Sequence, residues 1–234
     1  GTNGNQSIEN ITFLGNNYQA ACAIYVRARS NVKIINCVAH EFNYNFVTFN
    51  GRANEVDGPA TIKATGNGVY NCSSAACCTW IGAKPGGYAS GIVQYGSQLG
   101  FELHDSILIA KGRGSTNNGY CLKYYRNGYN DGTSLDNCTL RKSCDDGTPS
   151  NFMFCGEIWH DTGFTVTNSF FEGWFDLNGL TKGAYQYGYE FTNNVFGTLT
   201  VPTNTTTAAI ELELGLVGNP SSDGLVQNNL FRNV

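Results

Sequence analysis

A short alternation of apolar and polar residues recurs along this chain. It ends on Asn or Asp and resumes with a small or apolar pair. It is written "SNVKIINCVAHEF" at 30–42, "GFTVTNSFFEGWF" at 163–175, "GYEFTNNVFG" at 188–197 and "GLVQNNLFRN" at 224–233. Asn36, Asn67, Asp105, Asn137, Asn168, Asn193 and Asn228 mark the copies, at intervals of 25 to 38 residues that average 32. "NITFLGNNY" at 10–18 adds an irregular copy with Gly15 at the mark. A period in this range is the signature of stacked units, each too small to bury a core alone. The alternation in "VKI", "FEL", "FTV" and "YEF" has the period of two that belongs to strands.

A second strand-like run falls between successive marks: 23–28, 45–51, 91–96, 121–126, 154–160, 174–179 and 209–214. Each unit therefore supplies at least two strands, separated by Gly and Asn corners. Asn tolerates the left-handed backbone, and its amide can bond to the Asn of the next unit. A stacked Asn ladder inside the corners is expected, with Asn137 buried in it and Cys37 and Cys138, which directly follow marks, facing inward. This pattern resembles the right-handed parallel β-helix of the pectin-lyase-like superfamily over nearly the whole chain. The resemblance implies an all-β fold, a solenoid of about 7–8 coils, forming a single domain over residues 1–234. The bare ends lead us to expect either a piece of a longer chain or ends that stack on other copies.

Composition narrows the partners. Net charge is −4, and the 14 Lys and Arg are dispersed, which disfavours nucleic acid. No apolar run is long enough to span a bilayer. Nine Cys is a high and odd count that fits an oxidising, secreted or cell-surface setting. Cys138 with Cys144, and the adjacent Cys77 and Cys78, are the disulfide candidates. Zinc is weakly supported, because no paired C-x-x-C occurs. "NGYNDGTS" at 127–134 and "CDDGTPS" at 144–150 are faintly like calcium loops but lack the EF-hand pattern. Calcium is the one cofactor kept open.

The second-strand runs carry the chemistry. With Val26, Val47, Val93, Leu122, Ile158, Leu177 and Leu212 inward, the face between them presents Arg27, Thr48, Gln94, Lys123, Glu157, Asp176 and Glu211. Glu157, Asp176 and Glu211 are the acid/base candidates, since glycoside cleavage uses paired carboxylates at separations that one or two coils supply. Tyr95, Tyr125, Trp159, Trp174 and Arg27 are the candidate sugar contacts. The β-helix polysaccharide lyases that the chain resembles use a Lys or Arg as base on a uronate, often beside a cation. That resemblance implies base and charge-neutralising roles for Lys123, Arg126 and His160. The expected partner is an extracellular polysaccharide. The alternative is a non-catalytic adhesive or structural protein whose ends stack into a fibre.

Overall fold

The computed structural model describes residues 5–17, 19–42, 45–50, 63–77, 89–95, 97–112, 119–124, 130–144, 153–159, 161–172, 174–178, 188–197, 210–213 and 224–232. Within them the fold is a parallel β-helix. Each strand pairs in parallel with its counterpart one coil away, and the strands build four sheets. Sheet I holds Gln6–Glu9, Val32–Ile35, Gly68–Tyr70, Glu102–His104, Ser134–Asp136, Thr165–Thr167, Glu190–Thr192 and Leu225–Gln227. Sheet II follows it in each coil, as Thr12–Leu14, Val38–Phe42, Ser73–Cys77, Ile107–Gly112, Thr139–Cys144, Phe170–Glu172, Val195–Gly197 and Leu230–Arg232. Sheet III is built from Cys22–Arg27, Asn45–Asn50, Ala89–Tyr95, Gly119–Tyr124, Met153–Trp159, Trp174–Asn178 and Ile210–Glu213, which are the second-strand runs of the sequence. A short sheet IV contains Lys63–Thr65, Ser97–Leu99, Asn130–Asp131 and Asp161–Thr162.

Two columns of left-handed residues turn the chain. Asn10, Asn36, Asn71, Asp105, Asn137, Asn168, Asn193 and Asn228, with φ between 49° and 59°, join sheet I to sheet II. Gly66, Gly100, Gly132, Gly163 and Gly188 lead into sheet I with φ between 61° and 69°. The glycines of the second column stack closely: a Cβ on Gly163 or Gly188 would stand 3.7–3.8 Å from the Cα of the glycine below.

Two marks assigned from sequence are corrected. The third corner is Asn71, not Asn67. Asn67 is buried, where its Oδ1 accepts from Val32 N at 2.9 Å and its Nδ2 donates to Gln98 Oε1 at 3.0 Å. The first corner is Asn10, not Gly15, which is packed so tightly that a Cβ there would sit 2.1 Å from the Glu41 carbonyl oxygen. The Asn ladder is real but runs along the outside. Asn36 Nδ2 donates to Asn10 Oδ1 at 3.1 Å, Asn71 Nδ2 to Asn36 Oδ1 at 2.6 Å, and Asn137 Nδ2 to Asp105 Oδ1 at 2.7 Å. Asn137 is exposed, contrary to expectation. A left-handed residue turns its side chain out of the bend, and the next residue turns in.

Those next residues form a second, interior ladder. Cys37 N donates to Cys72 Sγ at 3.3 Å, Cys72 N to Ser106 Oγ at 3.1 Å, Cys138 N to Ser169 Oγ at 3.0 Å, Ser169 N to Asn194 Oδ1 at 2.9 Å and Asn194 N to Asn229 Oδ1 at 2.8 Å. A small polar side chain at this position satisfies a buried amide one coil away. Apolar side chains stacked in files fill most of the rest of the described interior, beside a few buried polar groups such as Asn67 and Gln98. Ile34, Val69, Leu103, Leu135, Val166 and Phe191 line sheet I, while Leu108, Leu140, Phe171 and Phe196 line sheet II.

Cys22, Cys37, Cys72 and Cys138 are free thiols. The proposed Cys138–Cys144 bridge is therefore not made. The two residues lie six apart along one extended run, roughly 20 Å by strand rise, whereas a disulfide needs Cα atoms within about 7 Å. Cys78 lies outside the described residues. Burial pushes the Cys138 thiol up to about 12 and the Cys72 thiol up to about 11, so both are small core residues and poor nucleophiles. No helix among the described residues is long and apolar enough to cross a membrane.

Candidate functional site

Sheet III sets the register of the charged candidates. Lys123 pairs with Glu157, Glu157 with Asp176, and Asp176 with Glu211. The same row continues through Val93 and Thr48 to Tyr25. Four residues chosen from separate coils of the sequence thus occupy one line across one sheet, a coil spacing of about 4.8 Å apart. At Lys123, Glu157, Asp176 and Glu211 the structure describes the main chain. The rows on either side are core. Ile24, Val47, Ile92 and Leu122 bury one, and Val26, Phe49 and Tyr124 bury the other.

Two residues further along the strands, a row runs through Arg27, Asn50 and Tyr95, and beyond the middle coil through Trp159, Asn178 and Glu213; Asn50 is buried in it. Tyr95 and Trp159 therefore stand one alternation from the charged row. Trp174 pairs with Phe154 at the start of its strand, where the register shifts between Phe154 and Gly156. Arg126, His160 and Tyr125 lie outside the described residues. Arg27 is exposed and lines a hollow of about 440 Å³ with Tyr25, Arg29, Ile8 and Val32, beside the first described coil. Tyr25 is half exposed, and its hydroxyl accepts from Asn50 Nδ2 at 2.7 Å.

Two expected outward residues are corrected. Gln94 is 1 % exposed and takes its place in the buried row of Phe49 and Tyr124. Ile92, aligned with Val47 and Leu122, sets the phase of that strand, so Val93 falls in the charged row instead. Thr48 belongs to that row but is buried, with Oγ1 accepting from Asn45 Nδ2 at 2.5 Å. Arg27 is aligned with Asn50 and not with Thr48, one alternation away from its expected place.

The sequence reading missed a second polar constellation, on the outward side of sheet I. Lys33 Nζ lies 3.3 Å from Glu102 Oε2 and 4.9 Å from the centroid of the Tyr70 ring. The Tyr70 hydroxyl accepts from Lys33 and donates to Glu102. The His104 ring stands edge-on to Tyr70 at 5.7 Å and 87°, with Nε2 3.3 Å from Ser134 Oγ. One coil on, Asp136 Oδ1 accepts from Thr167 Oγ1 at 2.6 Å and Asn168 Nδ2 at 2.8 Å.

The hydrogen bond from Tyr70, followed by the Lys33 charge, outweighs desolvation and holds the Glu102 carboxyl below its ordinary value. Bonds from Thr167 and Asn168 and the charge of His104 do the same for Asp136 against desolvation. Desolvation pulls Lys33 down, but Tyr70 and Glu102 together more than reverse it, and its pKa is raised. Desolvation and the Glu102 bond raise Tyr70. Glu102 and Asp136 are thus fixed acceptors and Lys33 a fixed donor. The register of sheet I places Lys33, Gly68 and Glu102 in one row and Tyr70, His104 and Asp136 in the next on the same face.

Among the described residues no three His, Cys, Asp or Glu converge to hold a metal. Residues 127–129 and 145–150 of the calcium-like stretches lie outside the described residues.

No family model and no curated protein matches the chain. Among solved structures, the catalytic domain of Agl-KA is similar at 13 % identity and a TM-score of 0.47, covering 98 % of this chain and 44 % of that one. The Streptococcus pneumoniae surface protein and adhesin PfbA is similar at 13 % identity and a TM-score of 0.42, covering 99 % of this chain and 65 % of that one. The chain spans less than two thirds of the length of either.

Proposed function

We propose that this is an extracellular carbohydrate-active protein, one domain over residues 1–234, that binds and cleaves a polysaccharide laid along the sheet III row. The observation that supports this reading is the register that strings Lys123, Glu157, Asp176 and Glu211 across successive coils. Adjacent coils separate main-chain positions by about 4.8 Å, near the carboxylate spacing of roughly 5 Å used by retaining glycosidases. Two coils give roughly 9–10 Å, at the upper end of the inverting range.

In hydrolysis, one protonated carboxyl of Glu157, Asp176 or Glu211 gives its proton to the leaving oxygen. A second carboxylate attacks the anomeric carbon or activates water. Neighbouring carboxylates favour this division, because one negative charge raises the pKa of the next. In elimination on a uronate, an uncharged Lys123 takes the proton at C5, the C4–O bond to the departing sugar breaks as the C4–C5 double bond forms, the leaving oxygen takes a proton from water, and Arg126 and His160 neutralise the sugar carboxylate. Tyr95, Tyr125, Trp159, Trp174 and Arg27 serve as the contacts for the sugar rings.

The test is cleavage of a panel of neutral and uronate polysaccharides by the parent, Glu157→Gln and Asp176→Asn, reading reducing ends and unsaturated products. The reading expects parent activity and a loss on the order of a hundredfold or more in a folded amide variant. A parent that cleaves nothing, or two variants with full activity, refutes it.

A second reading is a non-catalytic adhesive or structural protein that associates end to end. It is favoured by Val226 and Phe231 of the last described coil, which are 47 % and 46 % exposed although they continue the core files of Phe191 and Phe196. Light scattering with electron microscopy separates the two. Particles near the chain mass of 25.3 kDa favour the first, and long regular fibres favour the second.

A further inference from the structure

The outward side of sheet I carries an arrangement that fold stability does not require. Further along this face the same rows hold Ser134, Thr165, Thr167 and Thr192, with Glu190, Leu225 and Gln227 in the last two described coils. Between Lys33 and Glu102, however, the row holds Gly68. The Tyr70 ring occupies the space a side chain would take there: a Cβ on Gly68 would meet Tyr70 Oη at 2.4 Å, Cζ at 2.6 Å and Cε2 at 2.7 Å. The ring is laid over the glycine backbone, and its hydroxyl is pinned by Lys33 and Glu102. His104 stands at 87° to it and forms an edge to the platform. Lys33 and Glu102 side chains remain 35 % and 42 % exposed. An ion pair this open adds only about 0–1 kcal/mol to stability.

We propose that this platform, with Tyr70 as floor, His104 as edge and Lys33, Glu102 and Asp136 as rim, is a second glycan-binding surface, for a neutral polysaccharide chain. The C–H face of a sugar ring packs on an immobilised aromatic ring, while its hydroxyls bond to donors and acceptors at the rim. Lys33 supplies donors, and Glu102 and Asp136 supply acceptors that stay ionised. When the His104 ring is uncharged, one cation against two carboxylates leaves the rim net negative, so a uronate chain is repelled and a neutral one is not. Coils repeat at about 4.8 Å, so a linear chain along the axis meets Ser134, Thr165 and Thr167 next. The surface is separate from the sheet III row. It goes beyond the catalytic reading and shares with it only the class of ligand.

The test is an NMR titration of the full chain with cellohexaose, laminarihexaose, xylohexaose and oligogalacturonate. At least one neutral hexasaccharide is expected to shift the amides of Tyr70, His104 and Ser134. Gly68→Ala, which lifts the ring without changing any charge, is expected to weaken that binding about tenfold or more. Tyr70→Ala should do the same, while Glu157→Gln binds on this face as the parent does. Thermal unfolding of each variant verifies that the coil is intact. The proposal is overturned if no neutral hexasaccharide moves these amides, if folded Gly68→Ala binds as tightly as the parent, or if oligogalacturonate binds this face more tightly than the neutral sugars. Loss of cleavage in Glu157→Gln with binding kept here refers to the sheet III row alone, so the two readings fail separately.

Discussion

Asn71 has two roles at one position. Its φ of 49° turns the chain from sheet I into sheet II, and its Nδ2 bonds to Asn36 Oδ1 at 2.6 Å on the corner below. A left-handed residue with a Cβ other than Asn or Asp costs roughly 1–2 kcal/mol, and the lost hydrogen bond adds about 0.5–1.5 kcal/mol. Asn71→Ala should therefore lower unfolding stability in urea by about 1.5–3.5 kcal/mol. Asn71→Gly should recover the backbone share and leave the ladder share lost. The interior ladder makes a pH prediction. Cys138 and Cys72 have thiols raised to about 12 and about 11 in the folded chain, against about 8.5 unfolded. Below the unfolded value both states hold the proton, and stability is unaffected. Above it the unfolded chain ionises first, so stability is lost progressively as pH rises through the window up to the folded values. Cys138→Ser should keep the ladder, since Ser106 and Ser169 already occupy equivalent positions. It should flatten the alkaline loss measured by denaturant midpoint against pH.

At the scale of the strand, sheet III depends on one glycine. A Cβ on Gly91 would lie 2.8 Å from the Cys121 carbonyl oxygen and 3.2 Å from Leu108. Both are fixed core atoms, so Gly91→Ala should force the strand Ala89–Tyr95 off its neighbour and destabilise by about 1–3 kcal/mol, read by thermal unfolding. The strands themselves were legible. The seven runs between the marks are the seven strands of sheet III, because alternation at period two survives in each. What failed was phase and choice. In "GIVQYG" two adjacent branched residues compete for the interior, and only the neighbouring coils, through Val47 and Leu122, decide for Ile92. In "ATGNGVYNCS" two Asn residues compete for the corner. Spacing favours Asn71, which divides the interval between Asn36 and Asp105 almost evenly. The Tyr70 platform was not legible, because Lys33, Gly68 and Glu102 come from three coils and meet only once the register of sheet I is known. The charged row was legible, because its members sit at like positions in successive runs.

At the scale of the molecule, main-chain pairing runs only between adjacent coils, and stability adds along the axis. The stacked file of Phe171, Phe196 and Phe231, with centroids 5.2 and 5.1 Å apart, displays this. Phe171 is fully buried between coils, whereas Phe231 in the last described coil is 46 % exposed. Phe171→Ala should cost about 3–5 kcal/mol. Phe231→Ala should cost much less, because its ring leaves less of its area buried. Equal losses in denaturant unfolding would mean that the last coil is covered in solution.

The account stands on the alignment of Lys123, Glu157, Asp176 and Glu211 along one row, since a slip by one residue would turn the face over. NOE contacts between backbone protons of neighbouring strands in the isotope-labelled protein test this directly. The account predicts cross-strand contacts that link Lys123 with Glu157, Glu157 with Asp176, and Asp176 with Glu211. Contacts offset by one residue, such as Lys123 with Gly156 and Asp176 with Ile210, would contradict it and remove the row as a site.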